Sequence, residues 1–248
     1  MHFSAVEQFH RVVRDQLEEV WRSQREGVER AGAWLAEVLR GERWLFTFGT
    51  GHSHLLALEP FYRAGGLARV KPILAEDLML HHSASASTLA ERAPGRAERL
   101  LDGHGVGPGD LLLVTSNSGR NVVPVEMALG ARARGARVIA LTNRRHAAQH
   151  ASRHPSGRKL AEVADLVLDN AGVAGDAAVE MAGPAGCFHA GPTSTITGAF
   201  LVHAVVLSGM EQALAAGWRP EVFESSNAHG DAHNETLLAR YRPLVPGL

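Results

Sequence analysis

From Phe3 to Leu39 apolar residues return at helical spacing, at Val6, Phe9, Val13, Leu17, Val20, Val28, Ala31, Leu35 and Val38. That pattern predicts one long helix, or two broken near Gly27. The pattern then changes. "RWLFTFG" is a short unbroken apolar run ending in the tight loop "GTGHSH", and an amphipathic stretch follows it to about Arg63. "ARVKPIL", "DLLLVT", "ARVIALTN" and "DLVLDN" read as further buried strands. Between them lie "VVPVEMALGARARG", a helix with arginines near its end, and "HAAQHASRHPSGRKLAEVA", a loop and helix. "STITGAFLVHAVVLSGMEQALAAG" predicts a long helix opened by Pro192 and closed by Gly217. The segment from Glu76 to Gly109 shows only a short helix near Arg96 to Leu101, and "FESSNAHGDAHN" leads irregularly to a last short helix.

Strand and helix alternate throughout. This predicts an α/β fold, a three-layer α-β-α sandwich on a parallel sheet, with ligands bound beyond the carboxyl ends of the strands. With no repeat or low-complexity linker, residues 1–248 read as one domain: an N-terminal helical extension (1–40), a core (41–217) and a C-terminal tail (218–248).

Composition narrows the function. Of 248 residues, 45% are hydrophobic and 21% charged, as in folded globular chains, and the formal charge of -1 provides no global field toward nucleic acid or an anionic membrane. The single cysteine, Cys187, has no internal partner for a disulfide, and no signal-peptide pattern is seen. Those two observations lead to the expectation of a cytoplasmic protein, and "AFLVHAVVL", the longest apolar run, is too short to predict a membrane span. The arginines at 132, 134, 137, 144 and 145 are not interleaved with aromatics, and the first two suit a helix C-terminus. The N-terminal helix contains no helix-turn-helix, and its stripe reads as a surface for another subunit.

The chemistry concentrates in two loops. After "DLLLVT", the turn "SNSGRN" supplies Ser116, Asn117, Ser118 and Asn121 as side-chain donors, and Gly119 lets the main chain approach closely. A strand, a turn of this kind and a helix start together offer free N–H groups to an anion. The simpler alternative is that Ser118 or Asn117 caps the helix. "FGTGHSH" repeats the arrangement with Gly51 and Ser53. It is not a dinucleotide loop, since His54 stands where a third glycine belongs and the next strand lacks a ribose-binding carboxylate.

The pair "FGTGHSH" and "LLLVTSNSGRN", followed by "VIALTN", resembles the SIS (sugar isomerase) domain over about Trp44 to Gly217. That family's second loop reads Ser-x-Ser-Gly-x-Ser/Thr; here Asn121 stands at the last position. The resemblance implies a sugar phosphate held by Gly51, Ser53, Ser116, Asn117, Ser118, Gly119 and Asn121, in a homodimer or homotetramer. It implies aldose–ketose isomerisation, an amino-sugar 6-phosphate etherase or lyase, or a non-catalytic phosphosugar sensor. The chain as a whole resembles stand-alone SIS proteins labelled as phosphoheptose isomerases.

Isomerisation requires a base and an acid. Glu59, six residues past Ser53, is the expected base, although Arg63 occupies the position where phosphoheptose isomerases carry theirs. The resemblance adds His203, on the long last helix, and His82, in a region where related etherases place an acid. No cofactor is expected. Zinc, bound by some phosphoheptose isomerases, would fall to His229 and His233, whose spacing of four puts both on one face of a helix, against the alternative of a solvated tail.

Overall fold

Three of the sheet's five strands are apolar runs followed directly by a glycine- or hydroxyl-bearing turn. The computed structural model describes residues 4–227 and 230–248. Helix α1 (Ser4–Arg40) leads into β1 (Leu45–Gly49), a single 3-10 turn (Gly51–Ser53), the short α2 (His54–Leu58) and β2 (Val70–Ile73). Helices α3 (Ala84–Ala90) and α4 (Ala97–His104) precede β3 (Leu111–Thr115), α5 (Val122–Ala133) and β4 (Arg137–Thr142). Then come α6 (Arg144–Ala148), α7 (Leu160–Val163), β5 (Leu166–Asp169), a hairpin of β6 (Ala177–Gly183) and β7 (Gly186–Pro192), α8 (Ser194–Ala215) and α9 (Asp231–Tyr241).

Strands β1 to β5 form one parallel sheet in the order β2-β1-β3-β4-β5. Successive residues face opposite sides of a strand, so each buried run feeds two cores. Leu45, Leu111, Leu113, Ile139 and Leu168 meet α1 and α8 on one face. Phe46, Phe48, Leu112, Val114 and Val138 meet α4, α5 and α7 on the other. The three-layer α-β-α architecture is therefore as the sequence predicts. The chain steps from β1 outward to β2 and then crosses to β3 on the opposite side of β1. That reversal opens a crevice beyond the ends of β1 and β3, where Gly49 lies in register with Thr115.

Helix α1 is continuous through Gly27. There a Cβ would come within 2.9 Å of Leu168 Cδ2, so the glycine serves close approach to β5 and makes no break. The expectation that the α1 stripe is kept for another subunit needs correcting from Val20 onward. Val20, Val28, Ala31, Leu35 and Val38 are buried in this chain's own core, with Val202, Val205 and Val206 of α8. Leu35→Ala is accordingly expected to cost about 3 kcal/mol in a urea melt, the usual range for a core leucine; a peripheral helix would lose under about 0.5 kcal/mol.

Three further features differ from the pattern-based reading. The helix after β1 stops at Leu58, short of Arg63, because Pro60 has no N–H to continue it. The β6–β7 hairpin was not anticipated; more than half of its residues are exposed to solvent, Phe188 at 63%, so it lacks the alternation that marks a half-buried strand. The C-terminal residues fold back, with Leu237, Leu238 and Tyr241 of α9 packing on Ala68 and Phe223. Helix α8 is long and apolar enough to cross a membrane, yet Leu201, Val202, Val205 and Val206 pack in the core.

Candidate functional site

A cavity of about 420 Å³ occupies the crevice between the ends of β1 and β3. Its walls include Gly51 and Ser53 from the first loop and Ser116, Asn117, Ser118 and Asn121 from the second. The structure thus brings together six of the seven expected phosphate-binding residues. The seventh, Gly119, shapes the turn from behind. Its φ is +59°, and a Cβ would lie 3.1 Å from Thr142 Oγ1 and 3.4 Å from Leu160 Cβ. A Gly119→Ala variant must accept both a left-handed backbone and that crowding, and is expected to lose about 1–2 kcal/mol of unfolding free energy in denaturant melts.

The turn is held so that its donors stay free. Ser116 N–H donates to Leu141 O (3.0 Å), Gly119 N–H to Ser116 Oγ (3.2 Å), and Leu160 N–H to Gly119 O (2.8 Å). Asn117 Oδ1 accepts from Asn170 Nδ2 (2.9 Å), and Asn143 N–H donates to Asn117 O (3.0 Å), tying the ends of β3, β4 and β5 together. The main-chain N–H groups of Asn117, Ser118, Arg120 and Asn121 donate to no acceptor among the described residues. Neither Ser118 nor Asn117 caps α5; Asn121 holds the cap position, and its side chain makes no capping bond. Free N–H groups at the positive end of a twelve-residue helix suit an anion.

Asn121 is turned to another partner. Its Nδ2 donates to Glu91 Oε1 (2.6 Å), and its Oδ1 accepts from Arg153 Nη1 (2.6 Å). Thr50 Oγ1 donates to the other Glu91 oxygen (2.6 Å). Burial, with Arg120 and Arg92 nearby, lowers the pKa of Arg153. Glu91 itself ends α3, and its main-chain carbonyl accepts from Val123 N–H (3.1 Å) in the first turn of α5. One residue thereby joins both loops across the cavity.

The far wall carries Asp176, Ser194, Thr195, Asn170 and His146. Asp176 Oδ1 accepts from the N–H groups of Thr193 (3.0 Å) and Ser194 (2.9 Å), and Oδ2 from Ser194 Oγ (2.6 Å). It is the built-in anion of the α8 N-terminus. Two carboxylates therefore line the cavity, and they differ. Asp176 is committed to the start of α8 through two main-chain N–H groups and the Ser194 hydroxyl, whereas the Glu91 carboxylate is held by side chains alone.

The expected acid–base residues lie elsewhere. Glu59 and His203 do meet, at 2.9 Å between Oε1 and Nε2, and Arg63 pairs with the same carboxylate, but none of the three lines the cavity. His82 borders a separate depression with Asp77 and Arg96. His233 lies on α9, where its Nε2 is 2.9 Å from Val222 O, while His229 falls outside the described residues. Among the described residues no group of three or more His, Cys, Asp or Glu is placed to hold a metal ion.

Glu91, Thr50, His146, Asn170, Asp176 and Ser194 are the site residues that sequence reading missed. One signal was available: "TST" before the α8 run repeats the small-hydroxyl turn seen before α5.

A family model described as the SIS domain matches residues 8–143. A UPF0309 protein of Listeria monocytogenes is 41% identical over 231 residues, covering 93% of this chain and 93% of its own. A UPF0309 protein of Geobacillus thermodenitrificans is 37% identical over 98% of this chain and 97% of its own. Among solved structures, the phosphoheptose isomerase GmhA of Neisseria gonorrhoeae superposes with a TM-score of 0.54 at 18% identity, over 85% of this chain and 97% of its own. The Vibrio vulnificus NanR protein complexed with ManNAc-6P gives 0.52 at 17%, over 98% of this chain and 70% of its own.

Proposed function

Because this chain belongs to the SIS domain family, we propose that its main cavity binds a sugar phosphate and that Glu91 moves a proton within the bound sugar, interconverting an aldose and a ketose phosphate. The observation that carries this reading is the convergence of two hydroxyl- and amide-rich turns on one cavity with a side-chain-held carboxylate between them.

The phosphate takes the N–H groups of Asn117, Ser118 and their neighbours, with the Ser118 and Ser116 hydroxyls adding charge-assisted bonds. A carboxylate has about four acceptor positions. Thr50 and Asn121 use two of those on Glu91, which leaves room to accept a proton. In the open-chain aldose, Glu91 removes the proton on C2. The C2–H electron pair forms the C1–C2 double bond, and the carbonyl oxygen O1 takes up a proton, giving an enediol. Loss of the O2 proton then re-forms a carbonyl at C2, while Glu91 returns its proton to C1. Net composition is unchanged, and no co-reactant is required.

A second reading has an observation in its favour. Both Glu91 oxygens already accept hydrogen bonds, as they would if the residue only braced the loops of a non-catalytic sensor. Incubation with hexose, heptose and amino-hexose phosphates in D2O separates the two. Isomerisation predicts loss of the C2–H proton signal and appearance of the partner sugar. Tight binding across the panel with no exchange would leave the sensor in its place.

A further inference from the structure

His146 lines the cavity, and the mechanism above gives it no task. It sits in the five-residue α6, whose start is fixed by its own N–H donating to Asn143 Oδ1 (2.8 Å). Its Nδ1 faces the N–H of Gly175 at 3.1 Å. A main-chain N–H can only donate, so Nδ1 must accept, and the ring's single proton is placed on Nε2. No hydrogen bond engages Nε2 among the described residues. The ring packs edge-on against His150, with centroids 5.3 Å apart. Asp176 and Arg120 are its other charged neighbours; burial first, then His150, lowers the pKa of His146, so the ring is neutral at pH 7 and above.

Asp176 supplies the complementary half. Three of its acceptor positions serve the start of α8, leaving one on Oδ2. Its charge also repels a phosphate, so this wall suits the sugar rather than the anion. A hydroxyl both donates and accepts, and so matches a wall that offers one N–H and one carboxylate oxygen.

Resting on the phosphosugar reading of the site, we infer that His146 Nε2–H and Asp176 Oδ2 together bind one hydroxyl group of the sugar, making His146 a residue that selects polyol phosphates over bare phosphate.

Calorimetry with inorganic phosphate and with glucose 6-phosphate, fructose 6-phosphate, sedoheptulose 7-phosphate and N-acetylmannosamine 6-phosphate tests this. His146→Phe is expected to weaken the tightest-binding sugar phosphate about tenfold, the usual loss for one buried hydrogen bond, with phosphate affinity within about twofold of wild type. His146→Gln, which keeps a donor, should recover most of the loss. Equal weakening of both probes, or of neither, overturns the inference. Imidazole 15N shifts of wild-type protein at pH 7.5 decide independently of how the variants fold. They should report the Nε2–H tautomer, with a response to the sugar phosphate and none to phosphate. An Nδ1–H tautomer, an imidazolium or silence overturns it. If wild type binds none of the sugars more tightly than phosphate, the site reading itself fails and this inference with it. If sugar binding stands while His146 is indifferent, only the inference falls.

Discussion

Replacement of Glu91 by glutamine is expected to slow C2-proton exchange about a thousandfold, within the 10²–10⁴ range of a lost general base, while sugar-phosphate affinity changes less than about threefold. The shape of the side chain is kept, so the contact with the sugar survives. What is lost is the capacity to hold a proton. Glutamine has one accepting oxygen and one donating NH2, whereas the site presents two donors, Asn121 Nδ2 and Thr50 Oγ1. The threonine hydroxyl can rotate to accept; the asparagine NH2 cannot, so the oxygen is expected to face Asn121, and the stability cost stays near 1 kcal/mol. Proton NMR in D2O gives the rate, and calorimetry gives the affinity. Exchange within about threefold of wild type would put the base elsewhere, and the Glu59–His203 pair between α2 and α8 would be the next to test.

The second large effect concerns the anion. Ser116→Ala with Ser118→Ala is expected to weaken a sugar phosphate at least 100-fold, since each hydroxyl bond to a charged group contributes about 1.5–3 kcal/mol. Ser116 does more than donate. Its oxygen accepts Gly119 N–H, so its loss also frees the turn that aims the neighbouring N–H groups. The two single variants should therefore differ: Ser118→Ala removes one contact, and Ser116→Ala removes a contact and some order. Isothermal titration of both, with unchanged circular dichroism, checks the ranking. Full affinity in the double variant would mean that the phosphate does not sit on the α5 turn.

The strands and both loops were legible because local chemistry dictates them. "DLLLVT" is buried on both faces and cannot be anything but a central strand, and "SNSGRN" needs Gly119 for a left-handed turn. The C-terminal end of α8 was readable from Gly217, with φ of +78°, whereas Pro192, expected to open the helix, is the last residue of β7 and Thr193 holds the cap position. Glu91 was not readable. It ends a helix, "ASASTLA", with almost no apolar periodicity and with Leu89 67% exposed, and its partners Thr50 and Asn121 lie 41 and 30 residues away. Only the seating of α3 against the 3-10 turn after β1, with the Glu91 carbonyl bonded to Val123 N–H at the start of α5, brings them together. Glu59 shows the converse failure. Distance along the chain from Ser53 was read correctly, but the direction of a side chain leaving a helix that stops at Leu58 was not. His203 found the same carboxylate from α8, so two residues singled out separately do touch, beyond the cavity wall.

The bond from Val123 N–H to the Glu91 carbonyl has a final consequence. It ties Glu91 to the first turn of α5, so that on the proposed reading the base and the phosphate-binding turn keep a set separation. The cavity then behaves as a fixed gauge: a carbon chain one atom too short leaves its reactive carbon out of reach, and one atom too long buckles against the wall. On the proposed reading, chain length, before stereochemistry, is the first thing such a cavity selects.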